Sequence, residues 1–132
     1  MERDEENKTM AVKLADRIAY VTGKLQELEF HGITLIAYRP GPANIDGYYK
    51  LQAIKHNYKI FITELLLRGS IVKYSYTLLY DEKSILRYDN APHHLHIETF
   101  PHHKHENDEV KPLYKYSIEE FIREVRNLVK KN

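Results

Sequence analysis

Cysteine and tryptophan are absent from this 132-residue chain. No disulfide and no thiolate metal site can therefore contribute, and stability has to come from packing and hydrogen bonds. Long apolar runs are also missing: stretches such as Ile60-Phe61-Ile62 and Leu65-Leu66-Leu67 fall far short of the roughly 20 residues that cross a bilayer, so no membrane span is expected. There is little excess charge. A formal net charge of +1 gives no global basic field, and attraction to nucleic acid would need a local patch or protonated histidines. The opening Met1–Lys8 is acidic and hydrated and lacks the basic start and apolar stretch of a secretory signal. A cytoplasmic location is the expectation.

What is present reads as a folding chain. Hydrophobic residues make up 42% and charged residues 30%, ordinary globular usage, and the length fits a single domain over 1–132. Leu14, Ile18, Val21, Leu25 and Leu28 recur at steps of four and three, which predicts a helix with one apolar face ending near Gly32. Arg39-Pro40-Gly41-Pro42 opposes regular structure and predicts a loop after a short strand at Ile33–Tyr38. Tyr48–Lys55, Tyr58–Leu67, Ile71–Tyr80 and Ser84–Tyr88 are rich in Ile, Tyr, Leu and Val and joined by short connections, which predicts an antiparallel meander of about four strands. Tyr74, Tyr76 and Tyr80 fit cross-strand packing there. Ser117 can cap a final helix, with Glu120 three residues on, and Ile118, Phe121, Ile122, Val125 and Leu128 form its apolar face. The predicted class is α+β: an N-terminal helix, the meander, a His-rich irregular segment, and a C-terminal helix packed on the sheet.

Histidine is distributed very unevenly. Of the eight, six lie between positions 93 and 105, where Pro92-His93-His94-Leu95-His96 is echoed by Pro101-His102-His103-Lys104-His105. A solvated loop has little reason to favour imidazole over Lys, Glu or Ser. Imidazole changes charge near neutral pH, so it can donate or accept a proton, bind a metal as a neutral ligand, or present a cation to phosphate. Just upstream, strand periodicity places Arg87 and Asp89 on one face. Asp89 can orient a histidine and Arg87 can hold a phosphate; alternatively the two form a strand-edge ion pair.

Arg87-Tyr88-Asp89-Asn90-Ala91-Pro92-His93-His94, followed by Thr99-Phe100-Pro101-His102-His103-Lys104-His105, resembles the signature stretch of the TumE family of toxins, from which His96 departs. Weaker similarity reaches back through Tyr48–Tyr80 and forward to Ser117–Val129. The resemblance implies the toxin of a type II toxin–antitoxin system, neutralised by a small DNA-binding antitoxin. It supplies no mechanism.

Three classes of activity remain open on the residues. The first is a metal-independent endoribonuclease without cofactor. Arg87, Asp89, His94, His102, His103 and His105 would be catalytic, converging on a shallow depression at the end of the sheet, and Lys104, Asn90 and His93 would hold RNA. On this reading a flexible Pro-flanked segment carries the histidines, and His102→Ala and His105→Ala remove toxicity without altering melting. The second is a metal site built on His103 and His105 or on His94 and His96, suited to Zn or Ni. The third is a non-enzymatic module that blocks a target through its tyrosines. A homodimer is compatible with all three.

Overall fold

The computed structural model describes residues 12–130; the acidic stretch Met1–Lys8 lies outside the described residues. The order is α1 (Leu14–Glu27), β1 (His31–Pro40), β2 (Gly47–Lys55), β3 (Tyr58–Leu67), β4 (Ser70–Tyr80), β5 (Lys83–Asp89), β6 (His103–Glu106), β7 (Glu109–Pro112) and α2 (Ile118–Lys130). All seven strands form one antiparallel sheet in sequence order. The class is α+β with a helix at each end, as the patterning indicates, but seven strands replace the expected four. Residues 31–40 form a full ten-residue strand, and the end of the His-rich stretch supplies β6 and the start of β7. No helix among the described residues is long and apolar enough to cross a membrane.

Local chemistry sets the boundaries. Helix α1 stops at Glu27, short of Gly32, because Glu29 takes a left-handed conformation with φ 66° while the Phe30 N–H donates to the Leu25 carbonyl at 3.1 Å, a pattern that closes helix C-termini. In α2 the Ser117 Oγ accepts from the Glu120 N–H at 3.1 Å, the cap expected from sequence. The β3–β4, β4–β5 and β6–β7 connections are two-residue turns with both φ values positive: Arg68-Gly69, Asp81-Glu82 and Asn107-Asp108. Such turns match the twist of the strands they join.

Both helices cover the same face of the sheet. Alternation turns Tyr49, Leu51, Ala53, Ile60, Ile62, Leu66, Tyr76, Leu78, Leu86 and Tyr88 inward, where they bury Leu14, Val21 and Leu25 of α1 and Ile118, Phe121, Ile122 and Val125 of α2. Phe121 packs against Tyr76 and Tyr88 at ring separations of 5.6 and 5.3 Å. One carboxylate shares this core row. Glu64 is fully buried yet accepts from Arg17 Nε and Nη2, both at 2.9 Å, and from the hydroxyls of Tyr49 and Tyr76. The charge is thereby paired and hydrogen-bonded, and α1 is fixed to the sheet. Among the described residues, no helix lies on the opposite face of the sheet.

Candidate active site

The site forms on the open face, where β5 meets β6. Along β5, Leu86 and Tyr88 point to the helices, so Arg87 and Asp89 point away from them. The register pairs Asp89 with His103 and Arg87 with His105, which brings both imidazoles to the same side. Lys104 and Glu106 take the helix side instead, where Lys104 Nζ lies 3.1 Å from Glu124 Oε2 and 3.7 Å from Glu106 Oε1.

Asp89 is the hub. It is only 7% exposed; its Oδ1 accepts from the Ala91 N–H at 3.1 Å and lies 2.9 Å from His103 Nε2. Its Oδ2 lies 2.9 Å from Arg87 Nε and 3.9 Å from His105 Nε2. The Arg87 contact is an ion pair without an aligned hydrogen bond, since the buried Nε–H is aimed at no acceptor. His103, itself 2% exposed, has Nδ1 3.0 Å from the Pro101 carbonyl. Both of its nitrogens thus face oxygen acceptors. A neutral ring can donate through only one of them, so both contacts become hydrogen bonds together only when both nitrogens carry protons.

His105 is arranged in the opposite sense. Arg87 Nη2 lies 3.1 Å from His105 Nε2, and because a guanidinium only donates, that nitrogen holds its lone pair. Loss of hydration, followed by the Arg87 charge, keeps His105 below the usual histidine pKa, against an opposing pull from Asp89. His94 completes the group, with its ring 4.7 Å from that of His103 and 5.6 Å from that of His105. Reduced hydration, then the neighbouring imidazoles His103, His96 and His93, also hold His94 below the usual value. His96 lies against His94 at 6.1 Å.

The segment that delivers His94 is irregular but not loose. Successive turns tie His93 to Ala91, Ile97 to His94, Phe100 to Ile97 and His102 to Thr99 through backbone bonds of 2.8–3.1 Å. The Thr99 hydroxyl donates to the His102 carbonyl and accepts from the Leu113 N–H at 2.6 and 2.8 Å. This replaces the flexible segment expected from sequence: polar side chains and turns supply the partners that a regular element would have given.

Arg87, Asp89, His94, His103 and His105 therefore come together, and His102 does not. As the neighbour of His103 on extended backbone it points the other way, stacking on Tyr116 at 3.6 Å with Nδ1 hydrogen-bonded to the Tyr74 hydroxyl at 2.9 Å. Lys104 is also turned away from the group. Asn90 is held by the Tyr74 N–H and the Val72 carbonyl, each at 3.1 Å, and with exposed His93 it edges a cavity of about 510 Å³ beside Arg87 and Asp89. Tyr48 and Lys73, which sequence reading did not single out, line the same cavity; strand parity with Lys50 and Ser75 was the available signal. His94, His103 and His105 also offer ligand nitrogens within 4.8 Å of one another, although His103 has both nitrogens engaged.

The sequence model of the family described as Toxin TumE matches residues 27–129. No curated protein and no solved structure matches the chain.

Proposed function

This chain belongs to the TumE toxin family, and from that premise we propose that it is the toxin of a type II toxin–antitoxin system, acting in the cytoplasm as a metal-independent endoribonuclease. The toxin role follows from the family, which also implies an antitoxin partner. What supports the chemistry is one observation: a guanidinium and two imidazoles held below their usual pKa gather around a buried aspartate–histidine pair.

On this reading a phosphodiester draws Arg87 Nη2 off His105, which frees the Nε2 lone pair as general base. His105 takes the proton of the RNA 2′-hydroxyl, the 2′ oxygen attacks phosphorus, and the bond to the 5′ oxygen breaks. His94 in its protonated form supplies the proton that the departing oxygen needs. The products are a 2′,3′-cyclic phosphate and a 5′-hydroxyl. Arg87 stabilises the charge on the phosphoryl oxygens, and each proton transfer is worth about 10²–10⁴-fold. Buried Asp89 and His103 are positioning residues that hold Arg87 and His105 in place.

A second reading rests on the three clustered ligand nitrogens of His94, His103 and His105. A metal there would have to take His103 from Asp89 or from Pro101. The two readings separate in one experiment. The purified chain should cut RNA in EDTA and leave cyclic-phosphate ends, and a DNA-binding antitoxin encoded beside it should copurify with it and relieve growth arrest. Activity that EDTA abolishes and Zn restores moves the assignment to a metal site. Harmless expression of the chain alone in its natural host removes the toxin role.

A further inference from the structure

The register carries the site's residues across the whole open face. One row runs Lys50, Thr63, Ser75, Asp89, His103 and the next runs Gln52, Phe61, Thr77, Arg87, His105. A third, Tyr48, Leu65, Lys73, ends at the 510 Å³ cavity edged by Asn90 and His93. Short hydroxyl side chains, Thr63, Ser75 and Thr77, make the floor. Tyr48 and Phe61 stand higher on β2 and β3, with Lys50 Nζ 4.9 Å from the Phe61 ring centroid. The result is a trough leading into the cavity beside Arg87, whose volume falls in the range of small-ligand pockets, about 300–1,000 Å³.

Charge is distributed along this trough with one sign. Lys50, Lys73 and Arg87 face it, and among the described residues no carboxylate pairs with Lys50 or Lys73. In these three rows Asp89 is the single acid, and Arg87 and His103 already engage it. The net charge of +1 thus conceals a locally basic surface with aromatic rings set into it. That combination suits a polyanion with unstacked bases; a duplex would offer phosphates but no faces for the rings.

We propose that the open face of β2–β5 is a binding track for single-stranded RNA, with the base next to the scissile phosphate seated in the cavity against Tyr48 and the flanking phosphates held by Lys50 and Lys73. The position of the scissile phosphate rests on the ribonuclease reading; the track itself does not. Sequence preference then arises at the Tyr48 cavity, where Asn90 and His93 border the base, while Lys50 and Lys73 act equally on every sequence.

The test uses the full chain and a fluorescent, 2′-O-methylated single-stranded oligonucleotide that cannot be cleaved, followed by anisotropy in EDTA. Tyr48→Ala should weaken binding about tenfold, Tyr48→Phe should keep it, and Lys24→Ala on the helix side should leave it unchanged. Lys50→Ala with Lys73→Ala should lower the slope of log Kd against log salt by about 1.4, at about 0.7 per phosphate contact. A duplex of the same sequence should bind more weakly. No binding by the unaltered chain, equal affinity for the duplex, or unchanged binding in folded Tyr48→Ala and double-lysine variants would overturn the track. Binding through Tyr48 and Lys73 without cleavage of ordinary RNA sinks the ribonuclease reading alone. Cleavage at full rate by both Tyr48→Ala and the double-lysine variant sinks the track alone.

Discussion

Two adjacent histidines with opposite surroundings show how much the site depends on single positions. His103 is sealed between Asp89 and the Pro101 carbonyl, whereas His102 packs against Tyr116 and Tyr74 on the other side of the strand. Parity would have separated them, but only for a reader who knew that a strand begins there; a Pro-flanked run of His and Lys gives no such sign. Burial, then His103, keeps His102 below the usual histidine pKa, which favours the neutral ring in its hydrogen bond with the Tyr74 hydroxyl. His102→Ala should therefore lower the melting temperature by several degrees through loss of the stack and the hydrogen bond, each worth about 1 kcal/mol, while RNA cleavage stays within a few-fold. Loss of cleavage at unchanged melting temperature would restore His102 to the chemistry. Arg87 and Asp89 were easier to place, since two residues apart on a strand share a face wherever the strand lies.

Among the elements, those with strong period were legible and those without were not. The apolar stripes of α1 and α2 and the alternation of β2–β5 reach the structure nearly unchanged. β6 and β7, with sequences HKHE and EVKP, are too short and polar to show a period and exist because β5 offers them an edge. Glu64 was missed for a related reason: its place in the row of Ile60, Ile62 and Leu66 makes it core-facing, but its partner Arg17 lies 47 positions away on α1. Arg17→Ala should leave a buried carboxylate with only the two tyrosine hydroxyls. Removing one member of such a pair costs about 3–5 kcal/mol, so the melting temperature should fall by on the order of 10 °C. A fall of only a degree or two would mean that the network does little to hold α1 on the sheet.

At the scale of the whole molecule, the two faces of the sheet divide the work. One is closed by both helices and carries the stability; the other carries no helix among the described residues, is basic in its central rows, and leads to the imidazoles. This polarity was invisible in a net charge of +1 and appears only when the register aligns Lys50, Lys73 and Arg87 on one side. The family was legible from the Arg87–His94 and Thr99–His105 motifs, because its signature is written in consecutive residues, whereas the open face is assembled from several strands.

The rate of single-stranded RNA cleavage by the purified chain in EDTA, followed from pH 5 to pH 8 beside His105→Ala, tests the proposed two-histidine mechanism most directly. One imidazole must be neutral and one protonated, and both His94 and His105 sit below the ordinary value of about 6.5. The acid form is therefore scarce at neutral pH. The profile should be a bell displaced to the acid side of 6.5, falling as pH rises from 6 to 8, and His105→Ala should reduce it by at least a hundredfold. A rate that needs added metal, that rises steadily to pH 8, or that survives His105→Ala would contradict it.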